Sequence, residues 1–213
     1  MNAPTLNELQ LDALTELVNL GVSSAATSLS ELVREEVLLS VPEVCVVNRD
    51  EAITNLRDHD AKRLVGIHQD FDGDIRGRAL LIFPEARSIE LIRALVGADL
   101  SPDDIMELEQ EALAETGNIL LNGCLSTMAN CLQRNLKISL PEVIHGDGAD
   151  LFRHTNADER VLFIYINFVV KQRDIQGFLA MILDLPSLVM LQKLLDAYIE
   201  RSTGHSAAAG HGE

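Results

Sequence analysis

Cysteine is scarce: Cys45, Cys124 and Cys131 are the three in 213 residues, an odd set placed inside apolar runs and not at metal-ligand spacing. That excludes a disulfide framework and predicts reduced thiols in a core, which places the chain in the cytoplasm. Basic residues are also few, 17 against 33 acidic ones, for a formal net charge of −16. Such a field repels phosphate backbones and anionic headgroups, so nucleic acid and membrane surfaces are excluded as partners. No run approaches the roughly 18 apolar residues of a membrane span, and the first residues lack the basic stretch and apolar segment of a secretion signal. No glycine-rich phosphate loop precedes a helix, and no serine sits in a nucleophile elbow. His59, His68, His145 and His154 have no partner at ligand spacing. Asp70, Asp72 and Asp74 begin like a calcium loop, but Gly73 falls fourth and Leu81 stands twelfth, where glutamate is needed, so they are read as a turn and no metal or other cofactor of its own is expected.

What is present is the composition of a globular chain, 47% hydrophobic and 23% charged. It also repeats. A shift of 99 aligns Glu16 with Glu115, Asn19 with Asn118, Ser40 with Ser139, and Pro42, Glu43 and Val44 with Pro141, Glu142 and Val143. A shift of 100 then aligns Asp74, Ile75, Gly77, Ile82 and Leu91 with Asp174, Ile175, Gly177, Ile182 and Leu191. So long a period points to two pseudo-symmetric units and not to a solenoid.

Each unit reads as helix, strand, hairpin, helix. The opening helices carry capping residues, Thr5 with Glu8 and Ser101 with Pro102 and Asp104, ahead of buried stripes such as Leu14, Leu17, Val18, Ala25, Leu29. Gly21, Gly117 and Gly123 are expected to weaken these helices, at about 1 kcal/mol each relative to alanine. Extended segments follow at 37–48 and 137–144, each broken by a proline. The hairpins are expected at 64–71 with 75–83 about Asp72-Gly73-Asp74, and at 161–170 with 175–185 about Gln172-Arg173-Asp174. Helices at 85–96 and 186–200 close the units. The fold class is therefore α+β, one domain over 1–200 made of repeats at about 6–97 and 101–200, with hairpins packed against long helices. The tail at 201–213 is expected to be disordered.

The polar face of the opening helices carries the chemistry. Asp12, Glu16, Asn19 and Ser23 recur at i, i+4, i+7 and i+11 and share an arc opposite the leucine stripe; Glu111, Glu115, Asn118 and Asn122 repeat it. A solvated helix face has no need of the same acid and amide at the same spacing twice, with a proline a fixed distance beyond. Written out, the pattern is acid, three residues, glutamate, two residues, asparagine, twenty-two residues, proline: Asp12, Glu16, Asn19, Pro42 and Glu111, Glu115, Asn118, Pro141. This resembles the motif of the CheC, CheX and FliY family of chemotaxis phosphatases, whose first position is Asp or Ser, so Glu111 departs from it by one methylene. The resemblance covers roughly residues 6 to 200, and duplication within one chain is the CheC arrangement.

The resemblance implies a pseudo-two-fold CheC-like fold. It also implies hydrolysis of the aspartyl phosphate on a CheY-like receiver, with Glu16 and Asn19 in one site and Glu115 and Asn118 in the other. Asp12, Glu111, Pro42 and Pro141 support the motif, each glutamate pairs with a receiver lysine, and magnesium belongs to the receiver. A CheD-like deamidase is a further partner that the family suggests. The alternative is a receiver-binding adaptor or scaffold without catalysis; retention of asparagine in both copies speaks for water positioning, since docking tolerates many polar residues.

Overall fold

The structure, a computed structural model, describes residues 5–33, 36–41, 44–58, 63–96, 102–156, 159–170 and 173–208. In chain order the elements are α1 (Glu8–Val33), β1 (Val37–Ser40), β2 (Val44–Val47), α2 (Arg49–Asp58), β3 (Leu64–Gly73), β4 (Gly77–Pro84) and α3 (Glu85–Val96). The second repeat supplies α4 (Pro102–Cys131), β5 (Leu136–Ile138), β6 (Glu142–Gly146), α5 (Gly148–Leu151), β7 (Arg160–Val170), β8 (Arg173–Leu183) and α6 (Leu185–Ala208). The order repeats, as the sequence predicts, with one addition: α2 and α5 fill the gap between extended segment and hairpin in each half. Their caps repeat as well. The Asn48 side chain accepts from the Glu51 backbone while Glu51 accepts from that of Asn48, and Asp147 and Asp150 do the same for α5.

All eight strands form one antiparallel sheet in the order β1-β7-β8-β4-β3-β5, with β2 also on β7 and β6 also on β3. Strands β1 and β2 of the first repeat thus complete the second hairpin, and β5 and β6 of the second complete the first. The pseudo-two-fold axis runs between the central strands, because Leu80 pairs with Ala180, the residue to which the shift of 100 carries it. From this axis the register identifies equivalent positions across the sheet. His68 lies opposite Leu80 as Phe163 lies opposite Ala180; Gln69 and Ile164 lie opposite Ala79 and Leu179; Asp70 and Tyr165 lie opposite Arg78 and Phe178.

The sheet has a helical layer on each face. Leu14, Leu17 and Leu29 of α1 and Leu113, Leu121 and Leu125 of α4 share a core with Val65, Ile67, Leu81, Leu162, Ile164 and Met181. On the other face Ile53 and Leu56 of α2 and Leu151 of α5 pack with Phe152, Leu64, Leu80, Phe163, Phe178 and Ala180. The symmetry fails at one place on this second face. Phe163, Tyr165 and Phe178 form an aromatic cluster with centroids 5.2–5.5 Å apart, whereas their counterparts are His68 and the Asp70–Arg78 ion pair at 2.9 Å.

Several boundaries differ from the sequence reading for identifiable reasons. The cap of α1 is Asn7, whose side chain accepts from the Gln10 backbone while Gln10 accepts from that of Asn7; Thr5 instead gives its carbonyl to Gln192. Ser101 lies outside the described residues. Asp72 and Gly73 are not the tip of a turn but strand residues paired with Lys137 and Leu136, so the ladder from the other repeat holds them extended. Arg173 and Asp174 are likewise paired, with Val170 and Val169, and Gln172 lies outside the described residues. Helix α6 runs on through residues 201–208, where the sequence reading places a disordered tail; residues 209–213 lie outside the described residues.

The glycines on the opening helices are not simple weak points. A Cβ on Gly21 would lie 2.8 Å from Cys124 Cα and 3.0 Å from its carbonyl oxygen, and one on Gly123 would lie 2.9 Å from the Ala25 Cβ. Bare backbone is what lets α1 and α4 cross this closely, and it buries Cys124, whose thiol pKa is pushed up to about 12 by loss of solvent. Helix propensity alone makes Gly21→Ala stabilising by about 1 kcal/mol. The crossing reverses the sign, since a methyl group against backbone forces the helices apart at about 1–3 kcal/mol. We expect Gly21→Ala to lower the denaturant midpoint; a raised midpoint would mean that α1 and α4 do not touch here.

Candidate active site

Both motif faces point away from the core. On α1, Asp12, Glu16, Asn19 and Ser23 are all exposed, while the intervening Leu14, Leu17, Val18 and Val22 are buried. On α4, Glu111 and Glu115 are exposed, but Asn118 and Asn122 are half-buried. Each face therefore brings acid, glutamate and asparagine together along one helix, as the spacing predicts. Pro141 is half-buried just after β5, and Pro42 lies outside the described residues. None of the eight helix residues named above lines the cavities of about 640 and 580 Å³ found beside α2 and α5. A convex, open pair of faces suits a macromolecular substrate better than a small ligand, which needs concavity.

The two faces are not alike in their support. On α4, Gly117 lets the helix settle onto β3: a Cβ there would lie 2.3 Å from Ile67 Cγ2. The next residue, Asn118, then meets Gln69, which is fully buried on β3. Gln69 donates through Nε2 to Asn118 Oδ1 at 3.4 Å and to the Ser139 carbonyl at 2.8 Å, while Asn122 donates to the same Oδ1 at 2.6 Å. Ser139 in turn exchanges bonds with Asp70, its N–H donating to the Asp70 carbonyl and its hydroxyl accepting from the Asp70 N–H. With both lone pairs of Oδ1 occupied, Nδ2 is the open end of the Asn118 amide.

On α1 the equivalents do not form such a network. The place of Gly117 is taken by Val18, that of Gln69 by Ile164 and that of Asn122 by Ser23. Asn19 has no side-chain hydrogen bond among the described residues, and both ends of its amide face solvent. This face has a neighbour of another kind. Tyr198 of α6 lies against Glu16, and its hydroxyl pKa is raised above 10.0, by burial first and by the Glu16 carboxylate next. Gln10 fastens the same pair of helices by donating to Asp196 at 2.8 Å.

Sequence reading alone finds neither Gln69 nor Tyr198. A signal for the first exists: Val65, Ile67 and Phe71 alternate as the inward face of β3, and Gln69 is the polar interruption of that series. Tyr198 carries no such mark.

The chain is similar to known proteins over most of its length. The family model described as "Chemotaxis phosphatase CheX" matches residues 65–167, which hold Gln69 and the whole α4 motif, and the model described as "CheC-like family" matches residues 9–46, which hold the α1 motif. The CheY-P phosphatase CheC of Bacillus subtilis is 29% identical over 141 residues, covering 65% of this chain and 67% of that protein. The flagellar motor switch phosphatase FliY of the same organism is 25% identical over 65% of this chain and 36% of its own length. In fold, the crystal structure of Thermotoga maritima FliY superposes with a TM-score of 0.73 at 15% identity, covering 92% of this chain and 99% of that one.

The Tyr198–Glu16 contact makes a pH prediction. A raised hydroxyl pKa in the folded state means that its contribution to stability is complete below 10.0 and is lost as pH rises through the higher folded value. In a Tyr165→Phe background, where Tyr198 is the one remaining tyrosine, its phenolate absorbance should appear above pH 10.0, and Glu16→Gln should lower that midpoint. An unmoved midpoint would separate the two side chains.

Proposed function

We propose that this chain, which is similar to the CheC, CheX and FliY phosphatases, is a phosphatase hydrolysing the aspartyl phosphate of a CheY-like receiver, with one site on α1 and one on α4. The observation that carries this reading is the pair of exposed faces on which a glutamate and an asparagine stand one turn apart at identical spacing in both repeats.

An acyl phosphate needs little activation. What accelerates its hydrolysis is a water held in line with the phosphorus and relief of charge spreading over the phosphoryl oxygens. A carboxamide supplies both without adding negative charge beside the phosphoryl group. At Asn19 the oxygen is open to accept from the water and the nitrogen to donate to a phosphoryl oxygen. At Asn118 the oxygen is already taken, so the nitrogen does the work, donating to the water oxygen or to the phosphoryl group. Glu16 and Glu115 anchor the helix through the receiver's lysine, and Asp12 and Glu111, one turn earlier, add to the negative face that the lysine meets. Magnesium arrives with the receiver as part of the substrate. The electrostatics suit this partner, since a strongly acidic chain attracts the basic group and the metal-bearing end of the receiver pocket.

The test is made on a panel of phosphorylated receivers, timing phosphate release. Asn19→Ala with Asn118→Ala should abolish acceleration, and each single change should leave partial activity; Asn19→Ala alone should leave the thermal midpoint nearly unchanged because the side chain is exposed, whereas Asn118→Ala should lower it modestly because Gln69 and Asn122 lose their acceptor. Parent-level release by the double variant would remove water positioning from both amides. Glu16→Lys with Glu115→Lys should weaken receiver binding by about 1–3 kcal/mol, through like charge at a partly desolvated contact. Unchanged affinity in a binding titration would remove the anchoring role.

A further inference from the structure

We propose that Gln69 is the positioning residue of the α4 site, a strut from the other repeat that fixes the Asn118 amide and ties it to the segment leading to Pro141; this rests on the function proposed above.

Three observations meet at this side chain. It is fully buried, yet among the described residues its Oε1 has no hydrogen-bond partner, and the neighbouring Asn122 Oδ1 is likewise buried and unpartnered. Burying polar atoms unsatisfied costs stability, and packing does not demand it here, because the symmetry-related position on β7 holds Ile164, which is fully buried in the same core. A polar residue kept where an apolar one packs equally well has work other than packing. Secondly, its donors are both spent on the site: one reaches Asn118 and the other the Ser139 carbonyl, two residues before Pro141. This gives the fixed distance from asparagine to proline a physical content. The proline ends the segment whose carbonyl the strut grips, so a change in spacing would carry Ser139 out of reach. Thirdly, Gly117 removes the one side chain that would otherwise hold α4 off β3 at this point.

The consequence is a site made by both halves of the chain. Glu111, Glu115, Asn118, Asn122 and Pro141 come from the second repeat, and the strut comes from the hairpin of the first. Among the described residues the α1 site has no counterpart strut, so its asparagine is ordered at the moment the receiver docks. The two sites therefore differ in preorganisation and not in their reacting groups.

The experiment places Gln69→Leu in two backgrounds: Asn19→Ala, in which the α4 site alone reports, and Asn118→Ala, in which the α1 site alone reports. Steady-state dephosphorylation of the receiver, chosen as the one the parent protein dephosphorylates fastest, gives kcat and KM. In the first background kcat should fall about tenfold or more with KM within about twofold, since a misdirected amide costs the chemical step and not docking. In the second background neither constant should change. Equal losses in both backgrounds, or no loss in the first, would overturn the proposal. Gln69→Met, which keeps length and flexibility, carries the same test if the leucine variant does not fold. A readout independent of turnover is the side-chain amide resonance pair of Asn118 in ¹⁵N spectra, assigned by its disappearance in Asn118→Ala. That pair should shift and exchange faster with solvent in the Gln69 variants, and an unmoved pair would overturn the strut. If the parent released no phosphate from any receiver, the proposed function would fail while this resonance still decided the strut.

Discussion

The antiparallel ladder between β4 and β8 is what makes one domain out of two repeats. Its centre, Leu80 against Ala180, joins each hairpin to the other repeat's hairpin along a two-fold axis. Everything outward follows from that register: which residues of β3 and β7 are equivalent, where β1 with β2 and β5 with β6 must add, and which face of the sheet receives α1 and α4. An antiparallel pair alternates its side chains strictly, so a slip of one residue would turn Leu81, Phe83, Leu179 and Met181 from the α1–α4 core to the opposite layer. The two apolar layers thus hold the central register, and the central register holds the two motif faces.

Symmetry of sequence does not carry through to symmetry of environment. The acid, glutamate and asparagine repeat faithfully because a helix face needs only the periodicity of one element. What lies beneath them does not repeat, because it comes from other strands that have diverged. Gln69 faces Asn118 where Ile164 takes the corresponding place beneath α1, and Gly117 corresponds to Val18. The same divergence appears on the far side of the sheet, where His68, Asp70 and Arg78 answer to Phe163, Tyr165 and Phe178. Burial and the nearby Arg78 guanidinium hold the His68 pKa below its usual 6.5, where its counterpart Phe163 simply packs.

Much of this was legible in the sequence. The duplication, the opening and closing helices, the hairpins and the alignment of Asp12, Glu16 and Asn19 and of Glu111, Glu115 and Asn118 along one helix each follow from periodicity and spacing, because those are properties of a single element or of two neighbouring strands. The parts that were not legible are relations between distant segments. Asp72 and Gly73 read as a turn until Lys137 and Leu136 pair with them. Thr5 reads as a cap, but Asn7 and Gln10 stand closer to the apolar stripe and satisfy each other. Gly21 and Gly117 read as weak points in helices, and only the crossing partner and the strand beneath reveal that a side chain would not fit. Helix α2 went unread because its ten residues, 49–58, are mostly polar and bury only Ala52, Ile53 and Leu56.

The exchange of edge strands also sets a timetable. Val37 pairs with Val170 and Val44 with Ile164, so β1 and β2 leave the ribosome well over a hundred residues before the strand that will accept them. Until then their apolar side chains have no sheet to join, and the first repeat by itself would display the β3 edge that β5 and β6 later close. A nascent chain in this state resembles a half-made clasp, one edge still open. Long-range pairing of this kind slows folding relative to a chain whose contacts are local. The duplicated architecture therefore couples the two motif faces in time as well as in space: neither is backed by its full sheet until the last strands of the second repeat are in place.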